Sequence, residues 1–247
     1  LNQISKLLAI NHKDYSPKCD ASDVKYFSAK IIIKENKYFT EAKELLIKRR
    51  EETEKLLKDH HLNNIIGNNS VKDLLKRRLV DYIKYKERLN KIKKYPSSGL
   101  LLAGIQGTGK TDIVCAAAND IVMANMENKE KFDVIILKCH DFMSGTVGES
   151  GKKVEAILDA IRESNKDLNR ESIIIVDEID NLAPDRNTRS VLTSERTGSL
   201  LDEFGGVHDD HTIFLMGTTN KPDRIDSEAL VAGRLGTPIL VNIPTEK

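Results

Sequence analysis

The residues best equipped for chemistry are Lys110 and Thr111, which close the run Gly104-Ile-Gln-Gly-Thr-Gly-Lys-Thr111. The run fits the phosphate-binding pattern G-x-x-x-x-G-K-[ST] and follows an apolar stretch, Gly99-Leu-Leu-Leu-Ala103, that reads as a strand. Glycines let the backbone wrap close to a phosphate, so that several N–H groups point at its oxygens. A helix starting near Lys110 adds the positive end of its dipole. Lys110 then reaches the β- and γ-phosphates of a nucleotide, and the Thr111 hydroxyl takes a place on Mg²⁺. A glycine-rich turn that binds nothing satisfies the same pattern, so the downstream residues decide.

Those residues sit at strand ends. Ser172-Ile-Ile-Ile-Val176 is continuously apolar and β-branched, the mark of a strand buried on both faces of a parallel sheet. It runs into Asp177-Glu178-Ile179-Asp180, and acids at such a carboxyl end lie in the crevice where open α/β sheets bind ligands. Asp177 can hold Mg²⁺, and Glu178 can polarise a water for attack on the γ-phosphate. A third strand, Thr212-Ile-Phe-Leu-Met216, leads to Gly217-Thr-Thr-Asn220, where an Asn could position that water. Then come Asp226-Ser-Glu-Ala-Leu-Val-Ala-Gly-Arg234 and a last strand, Pro238-Ile-Leu-Val-Asn-Ile243.

With these pieces in place the chain resembles the AAA family of ATPases, within the AAA+ group of P-loop NTPases. The matching segments are Gly104–Thr111, Ile173–Asp180, Thr218–Asn220 and Pro222–Arg234, with weaker matches at Ile65-Ile-Gly67, Ser144–Ser150 and Leu200–Gly206. Together they cover roughly residues 62–247. The resemblance implies ATP and Mg²⁺ as ligands, held by Gly104, Gln106, Gly107, Thr108, Gly109, Lys110, Thr111 and Asp112. It places the adenine near Ile66 and Gly67 and the metal on Thr111 and Asp177. It makes Glu178 the base and Asn220 the sensor. Arg234 becomes an arginine finger reaching a neighbouring subunit, so activity depends on assembly, typically into a hexameric ring.

The chain departs from the family at three places. Two prolines usual in the phosphate loop are Ile105 and Gln106, a tolerable change because neither side chain must touch phosphate. Val231 stands where a second finger arginine is often found. In Phe142–Ser150, which looks like the family's central-pore loop, the gripping aromatic is replaced by Thr146 beside Val147. Threading of a polypeptide by the usual aromatic grip is therefore in doubt.

Other patterns point elsewhere and lose on context. Asn220-Lys-Pro-Asp223 and Asp202-Glu-Phe-Gly205 mimic the guanine-reading and switch motifs of GTPases. Asp202, however, lies in Ser199-Leu-Leu-Asp-Glu-Phe204, which reads as a helix, and the strand-borne acid is Asp177, followed by Glu-Ile-Asp with no glycine. Cys139-His140-Asp141 imitates a nucleophilic set but reads as the end of a strand, Phe132–Lys138, since sequence neighbours seldom form a triad. His208-Asp-Asp-His211 has no evident further ligand for a metal and reads as a solvated turn.

Length and composition set the frame. At 247 residues there is room for one α/β domain and an appendage, and 39 basic against 38 acidic residues give no global field favouring nucleic acid or membrane. No apolar run approaches the ~18–20 residues of a membrane span. Three scattered cysteines suit a reducing, cytoplasmic setting. The expected fold is α/β: a five-stranded parallel sheet (about 99–103, 133–138, 173–177, 212–218 and 239–243) with helices on both faces. Residues 1–61 form a Lys-rich helical N-terminal extension, with a charged helix at Ala42–His60 carrying Leu45, Leu46, Ile47, Leu56 and Leu57. A second, basic helix runs Val71–Tyr95, its cationic face solvated. Residues 62–247 form the large ATPase subdomain; the small helical lid that follows in the family is expected to be absent, since the sequence stops at Lys247. The expected function is ATP hydrolysis coupled to remodelling a protein substrate, with a protein substrate or adaptor and copies of the chain as partners. The alternative is a slow, nucleotide-switched assembly protein.

Overall fold

The computed structural model describes residues 21–91, 99–124, 132–143, 149–181, 212–225, 230 and 235–243. Two helices come first, α1 (Ala21–Leu57) and α2 (Asn69–Lys91), followed by β1 (Gly99–Ala103) and α3 (Lys110–Ala124). Then follow β2 (Phe132–Leu137), α4 (Ser150–Leu168), β3 (Glu171–Val176), β4 (Ile213–Thr219) and β5 (Ile239–Leu240). The five strands form one sheet in the order β2-β3-β4-β1-β5, and every pairing is parallel. The expected strands are all present, with ends shifted by a residue or two. The last is shorter, because β5 pairs with β1 only at Leu102↔Ile239 and Ala103↔Leu240.

Strand parity divides the core in two, as a sheet covered on both faces requires. Leu101, Ile135, Leu137, Ile174, Val176, Ile213 and Leu215 face one apolar cluster. Their neighbours Leu100, Leu102, Ile173, Ile175, Phe214 and Met216 face the other. The first cluster is closed by α4, whose Val154, Ile157, Leu158 and Ile161 follow helical spacing, and by Ala42 and Leu46 of α1. The second is closed by Val71, Leu75 and Leu79 of α2 and by the Ala-rich face of α3.

Helix α1 is longer than its apolar pattern suggests, and its buried stripe takes in only part of the expected apolar set. Ala42, Leu46, Arg49, Thr53 and Leu57 are buried, while Ile47 and Leu56 face outward. The two polar members of the stripe have defined partners. The Thr53 hydroxyl accepts the Ile136 N–H at 3.0 Å, closing a donor on the edge strand β2. Arg49 makes a two-pronged ion pair with buried Asp141, Nε to Oδ2 at 2.9 Å and Nη2 to Oδ1 at 2.6 Å. Arg50 donates to Asp133 at 2.6 Å and to Ser164 Oγ at 3.2 Å, and Lys43 pairs with Glu163 of α4. The segment is thus a structural member of this face, riveted to the sheet edge.

Removing Asp141 takes from Arg49 its two-pronged partner and leaves it the half-exposed Glu52 at 2.6 Å, at a cost of about 1–3 kcal/mol, that of charged hydrogen bonds left unmet. Asp141→Ala should therefore lower unfolding free energy in urea by that amount. Leu46→Ala, which opens a cavity in the first cluster, should cost about 2–5 kcal/mol.

Candidate active site

The candidate residues gather at the carboxyl ends of the strands because β4 lies between β1, which leads into the glycine-rich loop, and β3, which leads into the acids. The pairs Ala103↔Thr219 and Val176↔Gly217 set the three strand ends level. Asn220, one residue past β4, therefore stands between the loop and Glu178.

The loop after β1 is built for close approach. A Cβ on Gly104 would meet the Val241 carbonyl oxygen at 2.4 Å, so the chain passes the end of β5 only as glycine. Gly107 and Gly109 have φ of 83° and 78°, the left-handed region, and the space where their Cβ atoms would stand is open. Thr108 is buried and its hydroxyl donates to the Ile105 carbonyl at 2.9 Å, holding the curl. Gln106 and Gly107 are exposed at its crest.

Lys110 opens α3 with only 7% of its surface exposed. Its ammonium donates to the Gly104 carbonyl at 2.9 Å, the Ile105 carbonyl at 2.8 Å and Asn220 Oδ1 at 2.8 Å. All three donors are used, and every acceptor is neutral. Burial pulls its pKa below the ordinary lysine value, and the nearby carboxylates of Asp177, Asp180 and Glu178 oppose that shift. The next residue, Thr111, donates from its hydroxyl to Asp177 Oδ1 at 2.8 Å. Two hard oxygen donors so placed fit what Mg²⁺ accepts: one or two protein oxygens, with waters and phosphates supplying the remainder.

Around the acids the hydrogen bonds close into a small network. The Thr218 hydroxyl donates to Asp177 Oδ1 and accepts the Glu178 N–H at 3.1 Å. Asn220 Nδ2 and Asn181 Nδ2 each approach the Glu178 carboxylate at 3.4 Å. Thr219 Oγ1 donates to Asp180 at 2.9 Å. Glu178 itself has φ of 54°, a conformation costing a non-glycine residue about 1–3 kcal/mol, which persists only where surroundings enforce it. The segment Thr218–Asn220 stands out in the sequence, but neither the bonds of Thr218 to Asp177 and Glu178 nor the strain at Glu178 is signalled there.

The turn proposed for adenine lies beside the loop. Ile66 is 86% exposed, and Gly67 and Asn68 have φ of 77° and 50°. Asn68 Nδ2 donates to the Asn242 carbonyl at 3.0 Å, next to the Val241 that abuts Gly104. Asp112 is exposed on the first turn of α3, with its carboxylate 3.7 Å from His60 Nε2. The Cys139-His140-Asp141 set forms a 3₁₀ turn after β2 and no triad. Asp141 binds Arg49, and His140 Nε2 accepts from the Arg49 guanidinium at 3.0 Å. Burial and then the surrounding carboxylates push the Cys139 thiol up to about 12, so it is a donor at neutral pH. Arg234, Val231, Thr146, Val147, Leu200–Gly206 and the His208–His211 histidines lie outside the described residues.

This geometry has a counterpart in sequence comparison. A family model described as ATPase family associated with various cellular activities (AAA) matches residues 100–243, more than half the chain. The chain belongs to the AAA family of ATPases. Its relatives include a Plasmodium falciparum protein named as a cell division cycle ATPase, 32% identical over 187 residues. A ribosome biogenesis ATPase of Saccharomyces cerevisiae is 33% identical over 167 residues, and a human ATPase family AAA domain-containing protein is 34% identical over 174. The matches cover 75%, 67% and 70% of this chain but only 14%, 18% and 11% of those relatives. Among the described residues no helix is long and apolar enough to cross a membrane.

The loop geometry makes one AAA residue easy to test. Gly104→Ala forces its methyl into the Val241 carbonyl, so the loop must shift. ATP binding followed by a fluorescent analogue should weaken by about ten-fold or more, as expected when a phosphate cradle loses its close backbone approach. The sheet should still unfold cooperatively.

Proposed function

We propose that the chain binds ATP with Mg²⁺ across the ends of β1, β4 and β3 and hydrolyses it, and that turnover drives remodelling of a protein substrate by a ring of copies, hexameric by family resemblance. The observation that carries this reading is the continuous line Lys110–Asn220–Glu178, with Thr111 and Asp177 bonded alongside.

In this reading Lys110 exchanges its neutral acceptors for charged phosphate oxygens, a stronger class of hydrogen bond. Gly104, Gly107 and Gly109 let the loop amides approach the same phosphates. Thr111 and Asp177 hold Mg²⁺, which when bound neutralises phosphate charge and orients the γ-phosphate. Glu178 takes the proton of the attacking water, and the Asn220 amide, already bonded to both Lys110 and Glu178, orients that water between them. Asn68 fixes the turn at Ile66 and Gly67 beside the loop, in reach of an adenine. Arg234 from a neighbouring copy supplies positive charge in the transition state. Val231, where a second such arginine would stand, favours a second reading: a slow nucleotide-switched assembly protein.

Turnover of ATP and GTP across a range of protein concentrations tests both. The motor reading expects ATP turnover per copy to rise with concentration and Arg234→Ala to lower it. Glu178→Gln should cut turnover about 10²–10⁴-fold while ATP still binds, the span expected for a lost general base. A slow rate indifferent to Arg234→Ala favours the switch, and Glu178→Gln at full activity contradicts both.

A further inference from the structure

The network around the acids leaves one question open: what holds Glu178 in a conformation that a non-glycine residue avoids? The torsion at issue is flanked by two peptide groups. The N–H of the first is fixed by Thr218 Oγ1 at 3.1 Å. Its carbonyl, that of Asp177, accepts from Cys139 Sγ at 3.2 Å. The carbonyl of the second, that of Glu178, accepts from the same Sγ at 3.2 Å and from the Asn181 N–H at 3.0 Å. With Glu178 in the left-handed conformation the two carbonyl oxygens share the single S–H proton as a three-centre bond. Rotation of the Glu178 φ out of that region parts the two oxygens from the sulfur.

The sulfur is itself held from the other side of the sheet edge. Cys139 opens the turn Cys139–Phe142, which is closed by the Lys138 N–H donating to Asp141 Oδ2 at 2.8 Å. That carboxylate is gripped by Arg49 of α1 in the two-pronged pair, and both partners are buried. The path from α1 to the acid is therefore Arg49, Asp141, the turn and the Cys139 thiol, and it ends on the backbone of Glu178.

We infer that Cys139 is a positioning residue for Glu178: its thiol clamps both carbonyls that flank the residue and so keeps the carboxylate turned toward Asn220, with Arg49 holding the turn that carries the thiol. The inference rests on the reading of Glu178 as the base. The Cys139 thiol bonds to the backbone carbonyls of Asp177 and Glu178 and not to the phosphate loop or the carboxylates, so its loss should act on the rate and spare binding. The role is distinct from the mimicked nucleophilic set, in which the thiol would be the attacking group.

The experiment compares Cys139→Ala, Cys139→Ser and Arg49→Lys with the unaltered protein and with Glu178→Gln. Four quantities are read: kcat, KM, affinity for a fluorescent ATP analogue, and hydrogen exchange of the amides of residues 177–181 in the nucleotide-free protein. Cys139→Ala should lower kcat about 10- to 100-fold, as a misplaced catalytic group does. KM and analogue affinity should stay within about two-fold, the signature of an effect confined to the transition state. Amide exchange over 177–181 should quicken. Cys139→Ser, which keeps a donor there, should recover most of the rate and the protection. Arg49→Lys, which keeps the charge but loses the two-pronged grip, should shift kcat in the same direction. A Cys139→Ala protein with unchanged kcat and exchange, beside an inactive Glu178→Gln, overturns the inference alone. So does a joint loss of kcat and nucleotide affinity that serine does not mend, which marks a packing defect. Full activity in Glu178→Gln overturns the reading beneath it.

Discussion

An ammonium group taken out of water must have all its hydrogen bonds met or it costs more than a small domain can bear. Lys110 is buried at the seam between β1 and β4, and much of the local architecture answers that demand. Two of its acceptors are carbonyls of the loop it terminates, so the loop must curl back over the lysine. Glycine at 104, 107 and 109 makes that curl possible. The third acceptor is Asn220, which exists at that spot only because β4 was inserted between β1 and β3. Meeting the lysine's needs thus draws the phosphate loop and the acid strand into one site. Of the carboxylates that favour the charged form of the buried lysine, Asp177, Asp180 and Glu178, the first and last are those proposed to act on metal and water.

A second demand is met at the sheet edge. Among the described residues strand β2 has a strand neighbour on one side, and α1 meets its other side through Thr53 and the turn that follows it through the Arg49–Asp141 pair. The helix thereby fixes the turn after β2, which touches the backbone of the acid pair. A charged helix that looks like an appendage in sequence is one wall of the core, and its two buried polar residues are anchored at β2 and the turn that follows its carboxyl end.

What the sequence disclosed follows from the range of the forces involved. Buried parallel strands announce themselves as unbroken apolar runs, so β1, β3 and β4 were legible almost to the residue. The phosphate loop was legible because backbone geometry there demands glycine at fixed spacing, and Asp177 and Glu178 because they terminate a strand of that kind. The buried stripe of α1 was not. Its apolar residues point equally to Ile47 and Leu56, which face outward, whereas Arg49 and Thr53 are inward for reasons 92 and 83 residues away, respectively. Thr218 and Cys139 fall in segments that stand out in the sequence, but their bonds run across neighbouring strand ends, and nothing local announces those partners. The left-handed Glu178 is a conformation that local preference argues against, and only the surrounding bonds sustain it.

The central claim is that the loop at 104–111 and the acid at 177 form a single Mg²⁺–nucleotide site. Calorimetric titration of ATP, with and without Mg²⁺, into the unaltered protein and Asp177→Asn tests it most directly. The account predicts that Mg²⁺ tightens ATP binding by about ten-fold or more in the unaltered protein, the worth of one good charge-assisted contact. In Asp177→Asn most of that gain should vanish, with binding in chelator little changed. Equal ATP affinity with and without Mg²⁺, or a gain untouched by Asp177→Asn, would contradict it.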